Sequence, residues 1–76
     1  MNKARRKNLQ EIIDQLEELK SSLEEIAEEE AEYRDGIPEN FQSGERYEKA
    51  VEACDNLDDA VSNLEEVIGS IETAIE

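Results

Sequence analysis

The 76 residues carry 22 acidic and 8 basic side chains, a formal net charge of -14, with no His and a single Cys. A chain this short forms one domain at most and buries only about 60% of its unfolded surface, so we expect a partner chain to add stability. One Cys excludes an intramolecular disulfide, and the absence of His also excludes a tetrahedral Cys/His metal site. The charge opposes direct binding to nucleic acid or to an anionic membrane, and it favours a protein partner with a basic surface.

The N-terminal segment is basic, with Lys3 followed by Arg5, Arg6 and Lys7. An amphipathic acidic stretch follows it, rather than the apolar run of a signal peptide, and no apolar run approaches the roughly 20 residues that span a bilayer. We therefore expect a cytoplasmic protein with a reduced thiol. The four cations either offset the acidic C-terminal turn of a neighbouring helix or dock a partner.

Apolar side chains recur at alternating spacings of three and four in two long stretches, a pattern typical of amphipathic helices. The first series, broken only by Glu30, is Leu9, Ile12, Leu16, Leu19, Leu23, Ile26 and Tyr33. The second series is Tyr47, Ala50, Cys54, Leu57, Val61, Leu64, Ile68, Ile71 and Ile75. The sequence predicts a single all-α domain over 1–76, an antiparallel two-helix coiled-coil hairpin. Its helices cover about 2–34 and 44–75, joined by a connector at 35–43.

The connector contains the residues that end one helix and begin the next. Gly36 is expected to take the left-handed cap conformation, and Pro38 disfavours helix at Ile37. Residues 38–41 are expected to wind one turn, with Ile37 and Phe41 covering the open end of the helix pair. Ser43 is the expected N-cap of the second helix. Gly69, late in that helix, marks either fraying or a close helix contact.

A further apolar column accompanies the second series at strict seven-residue spacing: Ala53, Ala60, Val67 and Ala74. Helix 1 adds Ile13, Ala27 and Ala31 beside its own series. An apolar face three positions wide in seven is typical of bundle helices, whereas a two-stranded seam needs only two. We therefore expect a homodimer that forms a four-helix bundle through the column of helix 2. The same face could instead receive a helix of another protein.

Acidic side chains repeat every seven residues on both helices, and they define a candidate partner-binding surface. Its members are Glu18, Glu25, Glu28, Glu32, Glu52 and Asp59. Each stripe advances about 10.5 Å per repeat, and carboxylates four residues apart lie about 6 Å apart, close to the phosphate spacing of a nucleic-acid strand. Such a rod could occupy the basic groove of a DNA-binding protein. Alternatively, the stripes form a solvated surface that confers solubility.

Other candidate sites are weaker. The segment Asp55–Asp59 departs from the calcium loop of EF-hands, because Leu57 lies in the apolar series and no Gly follows. Paired catalytic carboxylates need a concave site, and a carboxylate di-iron bundle needs His, so we expect no enzyme activity and no metal or cofactor.

Cys54 is expected to pack as a small apolar residue, or else to form a disulfide across a dimer axis. Near the connector, a second set either closes the core or forms a recognition site: Tyr33, Arg34, Phe41, Arg46 and Tyr47.

Three segments carry a resemblance: NLQEII at 8–13, EYRDGIPEN at 32–40 and GERYEKA at 44–50. Together they resemble small uncharacterised acidic helical-hairpin proteins of Gram-positive bacteria and their phages or prophages. The resemblance offers no catalytic motif, and it implies a phage-associated setting in the host-cell cytoplasm, where short acidic proteins frequently block host nucleases or restriction systems. The leading hypothesis is thus an inhibitor or regulator that mimics nucleic acid. The alternative is a structural or adaptor coiled coil that acts through its apolar stripe.

Overall fold

A computed structural model describes all 76 residues of the chain. Helix α1 spans Lys3–Asp35, a single 3₁₀ turn spans Glu39–Phe41, and helix α2 spans Glu45–Ile75. The Cα trace measures 59 × 15 × 13 Å. Because a helix of 33 residues is about 50 Å long at 1.5 Å per residue, the rod is only one helix long, and α2 returns beside α1. The predicted all-α hairpin is confirmed.

Local capping interactions set the start of α1 and its end. The Asn2 side chain accepts a hydrogen bond from the Arg5 backbone N–H at 2.8 Å, which satisfies one of the free donors of the first turn. At the other end, the Gly36 N–H donates to the Glu32 carbonyl at 2.9 Å. The chain then leaves the helix at Pro38, whose ψ of 145° is extended.

Two expectations about the connector are wrong. Gly36 has a φ of -78°, so it continues the right-handed helix instead of taking the left-handed cap conformation. A Cβ there would lie 3.2 Å from the Glu32 carbonyl oxygen, a tight contact, so the position favours Gly for its small size. The N-cap of α2 is Gly44 and not Ser43, because the Gly44 carbonyl accepts the first helical bond, from the Glu48 N–H at 3.1 Å. Ser43 lies within the preceding turn.

The seam between the helices uses the whole predicted series of α2 but only half of that of α1. Every second member of the α1 series is exposed: Ile12, Leu19, Ile26 and Tyr33. Their places in the seam are taken by the residues that follow each of them, which are buried or half-buried: Ile13, Lys20, Ala27 and Arg34. The seam of α1 is therefore rotated away from the predicted one, although it keeps Leu9, Leu16 and Leu23.

Lys20 shows how a charged residue fits this seam. Its stem lies along the seam while its ammonium group reaches Glu65 of α2 at 3.3 Å and Glu24 of its own helix at 3.8 Å. The other ion pairs join Arg34 to Asp35 and Lys49 to Glu45. None involves the basic N-terminal segment, so no direct ion pair links these four cations to the acidic end of α2.

The buried core is thin. Its members are Ile13, Ile37, Ala50, Cys54 and Ile68, each no more than 6% exposed. Cys54 packs as a small apolar residue of the seam, and Ile37 closes the connector end, both as predicted. Phe41 does not, since 62% of its surface is exposed. Neither helix contains a stretch long and apolar enough to cross a membrane.

Candidate functional site

The four exposed members of the α1 series form half of an exposed apolar surface. Leu19 and Ile26 expose 61% and 54% of their surface, and Ile12 and Tyr33 expose 43% each. Single exposed apolar residues are common on protein surfaces. Large apolar side chains that are exposed and aligned along one helix face indicate an interaction surface.

The column of α2 that the sequence assigned to a dimer interface lies on the same side of the rod. Each column is rotated away from the seam by the same angle and in the same sense along its own chain. Because the two helices run in opposite directions, the two columns then lie on the same side of the pair. A direct contact confirms this placement. Arg46, seven residues before Ala53, donates a hydrogen bond from Nε to the Tyr33 hydroxyl, and its guanidinium carbon lies 5.2 Å from the Tyr33 ring centroid.

These two columns make up what we call the apolar face. It consists of Ile12, Leu19, Ile26 and Tyr33 from α1 and of Ala53, Ala60, Val67 and Ala74 from α2. Ala53 and Ala60 are half-buried, whereas Val67 and Ala74 are exposed. Seven-residue steps from the Tyr33–Arg46 contact place Ile26 level with Ala53, Leu19 with Ala60, and Ile12 with Val67. Large side chains thus line one half of the face, and smaller ones line the other.

The borders of the apolar face are polar but almost free of charge. On the far side of each column from the seam, the seven-residue repeat places Asn8, Gln15, Ser22 and Glu29 on α1, and Lys49, Asn56, Asn63 and Ser70 on α2. Only Glu29 and Lys49 are charged, in a chain with a net charge of -14. This side of the rod therefore offers an apolar centre with little electrostatic repulsion.

The structure does not bring the two acidic stripes together. Glu18, Glu25 and Glu32 lie opposite the seam on α1, while Glu52 and Asp59 lie opposite the seam on α2. The stripes therefore run along opposite edges of the rod, about 20 Å apart from interaxial distance plus helix width. All five side chains are exposed.

Glu28, the sixth predicted residue, belongs to a third side, where carboxylates of both helices surround a shallow groove. We call this the acidic groove, and its lining residues are Glu24, Ala27, Glu28, Ala31, Asp58, Val61, Ser62 and Glu65. It lies on the side of the rod opposite the apolar face. Sequence spacing alone could not have placed Glu28 and Asp58 in the same groove, because their proximity depends on the register between the helices.

The predicted tip set divides in two. Tyr33 and Phe41 line a cavity of about 450 Å³ at the connector, together with Ile37, Pro38 and Arg46. Arg34 and Tyr47 lie outside it and are half-buried. Arg34 donates a hydrogen bond from Nε to Asp35 Oδ1 at 3.0 Å, and this bond, with the attraction between the two charges, raises the pKa of its guanidinium group. Arg46, also a member of this set, joins the tip to the apolar face through its contact with Tyr33.

No group of three or more His, Cys, Asp or Glu side chains is arranged to hold a metal ion. Comparison with protein-family models, with curated proteins and with solved structures gives no match to this chain. The resemblance of the connector to small acidic phage proteins stays a prediction.

Proposed function

We propose that the protein is a non-enzymatic binding protein that inhibits or regulates a basic nucleic-acid-binding protein by occupying the surface where nucleic acid would lie. The observation that supports this proposal is that the carboxylates are exposed and have no partners within the chain. All six residues of the predicted surface are exposed, and none of them takes part in an ion pair or a side-chain hydrogen bond within the chain. Their charges are free to meet cations of a partner.

The shape of the rod supports this mode of binding. Carboxylates on a continuous helix are held at fixed intervals of about 6 and about 10.5 Å, so a partner meets a stiff array rather than a flexible acidic tail. Long-range attraction would speed the encounter and make it depend strongly on salt. A phage-encoded inhibitor of a host nuclease fits both the charge and the resemblance of the connector.

The experiment is capture of partners from a lysate of a Gram-positive bacterium on immobilised protein, followed by elution with a salt gradient and mass spectrometry. We expect basic nucleic-acid-binding proteins that elute at moderate salt and that excess duplex DNA displaces. Reversal of one stripe, Glu18→Lys with Glu25→Lys and Glu32→Lys, should weaken their retention by more than about tenfold, because like charges then face each other across the interface.

A matched control separates position from total charge. Glu39→Lys, Asp55→Lys and Glu76→Lys make the same change in net charge, from -14 to -8, outside the six residues. This control should retain the partners almost as well as the original protein. Equal retention by the two triple variants, or captured proteins that DNA fails to displace, would show that the stripe is only a solvated surface.

A second candidate function is favoured by the apolar face. A structural or adaptor coiled coil would engage a helix through the exposed Leu19 and Ile26 rather than through its charges. Binding of that kind should persist as salt increases. It should be lost in Leu19→Glu and kept in the Glu18, Glu25 and Glu32 reversal.

A further inference from the structure

We propose that the apolar face is covered by a second copy of this chain, in a two-fold symmetric four-helix bundle with both connectors at the same end. The inference does not depend on the proposed function, because it concerns the side of the rod that carries no predicted carboxylate. Three properties of the face select this occupant and this orientation: its size, the distribution of its side chains, and its two charged border residues.

The size of the face matches a stable dimer. The face extends from Ala74 to Tyr33, about 42 Å at 1.5 Å per residue. With the 15 Å width of the rod it presents about 630 Å² per copy, within the range of about 600–1,000 Å² that each partner buries in a standard interface. The hairpin also leaves leucines of its own seam, among them Leu16, Leu23 and Leu64, only half-buried. In a four-helix bundle such positions point to the centre, so a second hairpin would complete their burial.

The side chains of the face fix the orientation. A two-fold axis parallel to the rod places α1 of one copy over α2 of the other, with Leu19 over Ala60 and Ile26 over Ala53 at the same levels. Large side chains then meet small ones, as close packing requires. An axis across the rod would place each column over its own counterpart, large over large on one side and Ala over Ala on the other. The first arrangement fills space evenly, and the second does not.

Charge selects the same orientation. With both connectors at one end, the polar border of α1 lies against the polar border of α2 in the other copy. The register then brings Glu29 within one residue of the level of Lys49, so the two charged residues of the borders form opposite-charge pairs, two in each dimer. Elsewhere the borders pair uncharged residues, such as Ser22 with Asn56. Repulsion between two chains of net charge -14 is therefore least across this face.

The dimer would also bring together what the single hairpin separates. Each side of the bundle would carry the Glu18–Glu32 stripe of one copy beside the Glu52–Asp59 stripe of the other. The two stripes would be separated by about one interaxial distance, 8–10 Å. Two identical acidic sides would result.

The orientation is tested by a distance between tips. A spin label at Asn40→Cys, in a chain whose native thiol is removed by Cys54→Ala, should report a separation below about 30 Å between copies, a few helix widths. A separation near the 59 Å length of the rod would overturn the orientation. A single species of 8.7 kDa in sedimentation of the original protein, or a stable complex of one copy with another protein's helix, would overturn the second copy itself.

Charge exchange tests the interface without altering the core. Glu29→Lys and Lys49→Glu should each weaken the dimer by about threefold to tenfold, the range for two exposed pairs, and the double variant should restore it. Glu28→Lys, the neighbouring position that faces the acidic groove, is the control for net charge and should not weaken the dimer. If Glu29→Lys and Glu28→Lys behave alike, or if the double variant stays weak, the proposed pairing is wrong.

Discussion

At the scale of single residues, Ile12 and Ile13 show that neighbours of the same type can lie in different surroundings. Ile13 is 2% exposed within the seam, whereas Ile12 is 43% exposed on the apolar face. Burial of such a side chain contributes about 1.5–3 kcal/mol to stability. Ile13 therefore stabilises the hairpin itself, and Ile12 is available to stabilise an assembly.

This difference predicts two kinds of destabilisation. Ile13→Ala should lower the free energy of unfolding by about 2–5 kcal/mol at every protein concentration, because it leaves a cavity within one chain. Ile12→Ala should destabilise the protein mainly at high concentration, where the apolar face is covered. Thermal unfolding followed by circular dichroism over a dilution series measures both. Equal losses for the two variants at high dilution would show that Ile12 lies in the seam after all.

At the scale of helices and turns, two glycines lie in different surroundings. A Cβ at Gly69 would meet no atom within 4 Å, so the alternative of a close helix contact at this position is wrong. Gly36, in contrast, packs its backbone against the Glu32 carbonyl at the end of α1. The same substitution should therefore have opposite signs at the two positions.

Gly69→Ala should stabilise the protein by about 1 kcal/mol, since Gly within a helix is that much less favourable than Ala. In a domain of this size the midpoint of thermal unfolding should increase by about 4–8 °C. Gly36→Ala should lower the midpoint, because its new methyl group crowds the carbonyl. An increase in both variants would contradict the close approach at Gly36.

The helices and the connector were predictable from the sequence, and the pairing of their faces was not. Alternating spacings of three and four identify an apolar side, and Pro38 marks the break between the helices. In α1, however, both Ile12 and Ile13 continue the repeat, one on each side of Leu9 and Leu16. The connector places α2 on one side of α1, and that placement decides which of the two columns lies in the seam. No local spacing encodes this placement. The separation of Glu18 from Glu52 follows from the same choice.

At the scale of the whole molecule, the surface is divided by charge. The two acidic stripes and the acidic groove occupy three sides of the rod, and the apolar face occupies the fourth. Contacts made through the stripes should weaken as salt increases, because screening acts on exposed charges. Contacts made through the apolar face should behave in the opposite way, since screening removes repulsion between two acidic chains and leaves apolar burial intact.

Sedimentation equilibrium of the original protein, repeated as the salt concentration is increased from about 50 to about 500 mM, tests this division most directly. We predict a particle of twice 8.7 kDa whose dissociation constant falls, or stays the same, as salt increases. A mass of one chain at every salt concentration, or a dimer that dissociates as salt increases, would contradict association driven by burial of the apolar face.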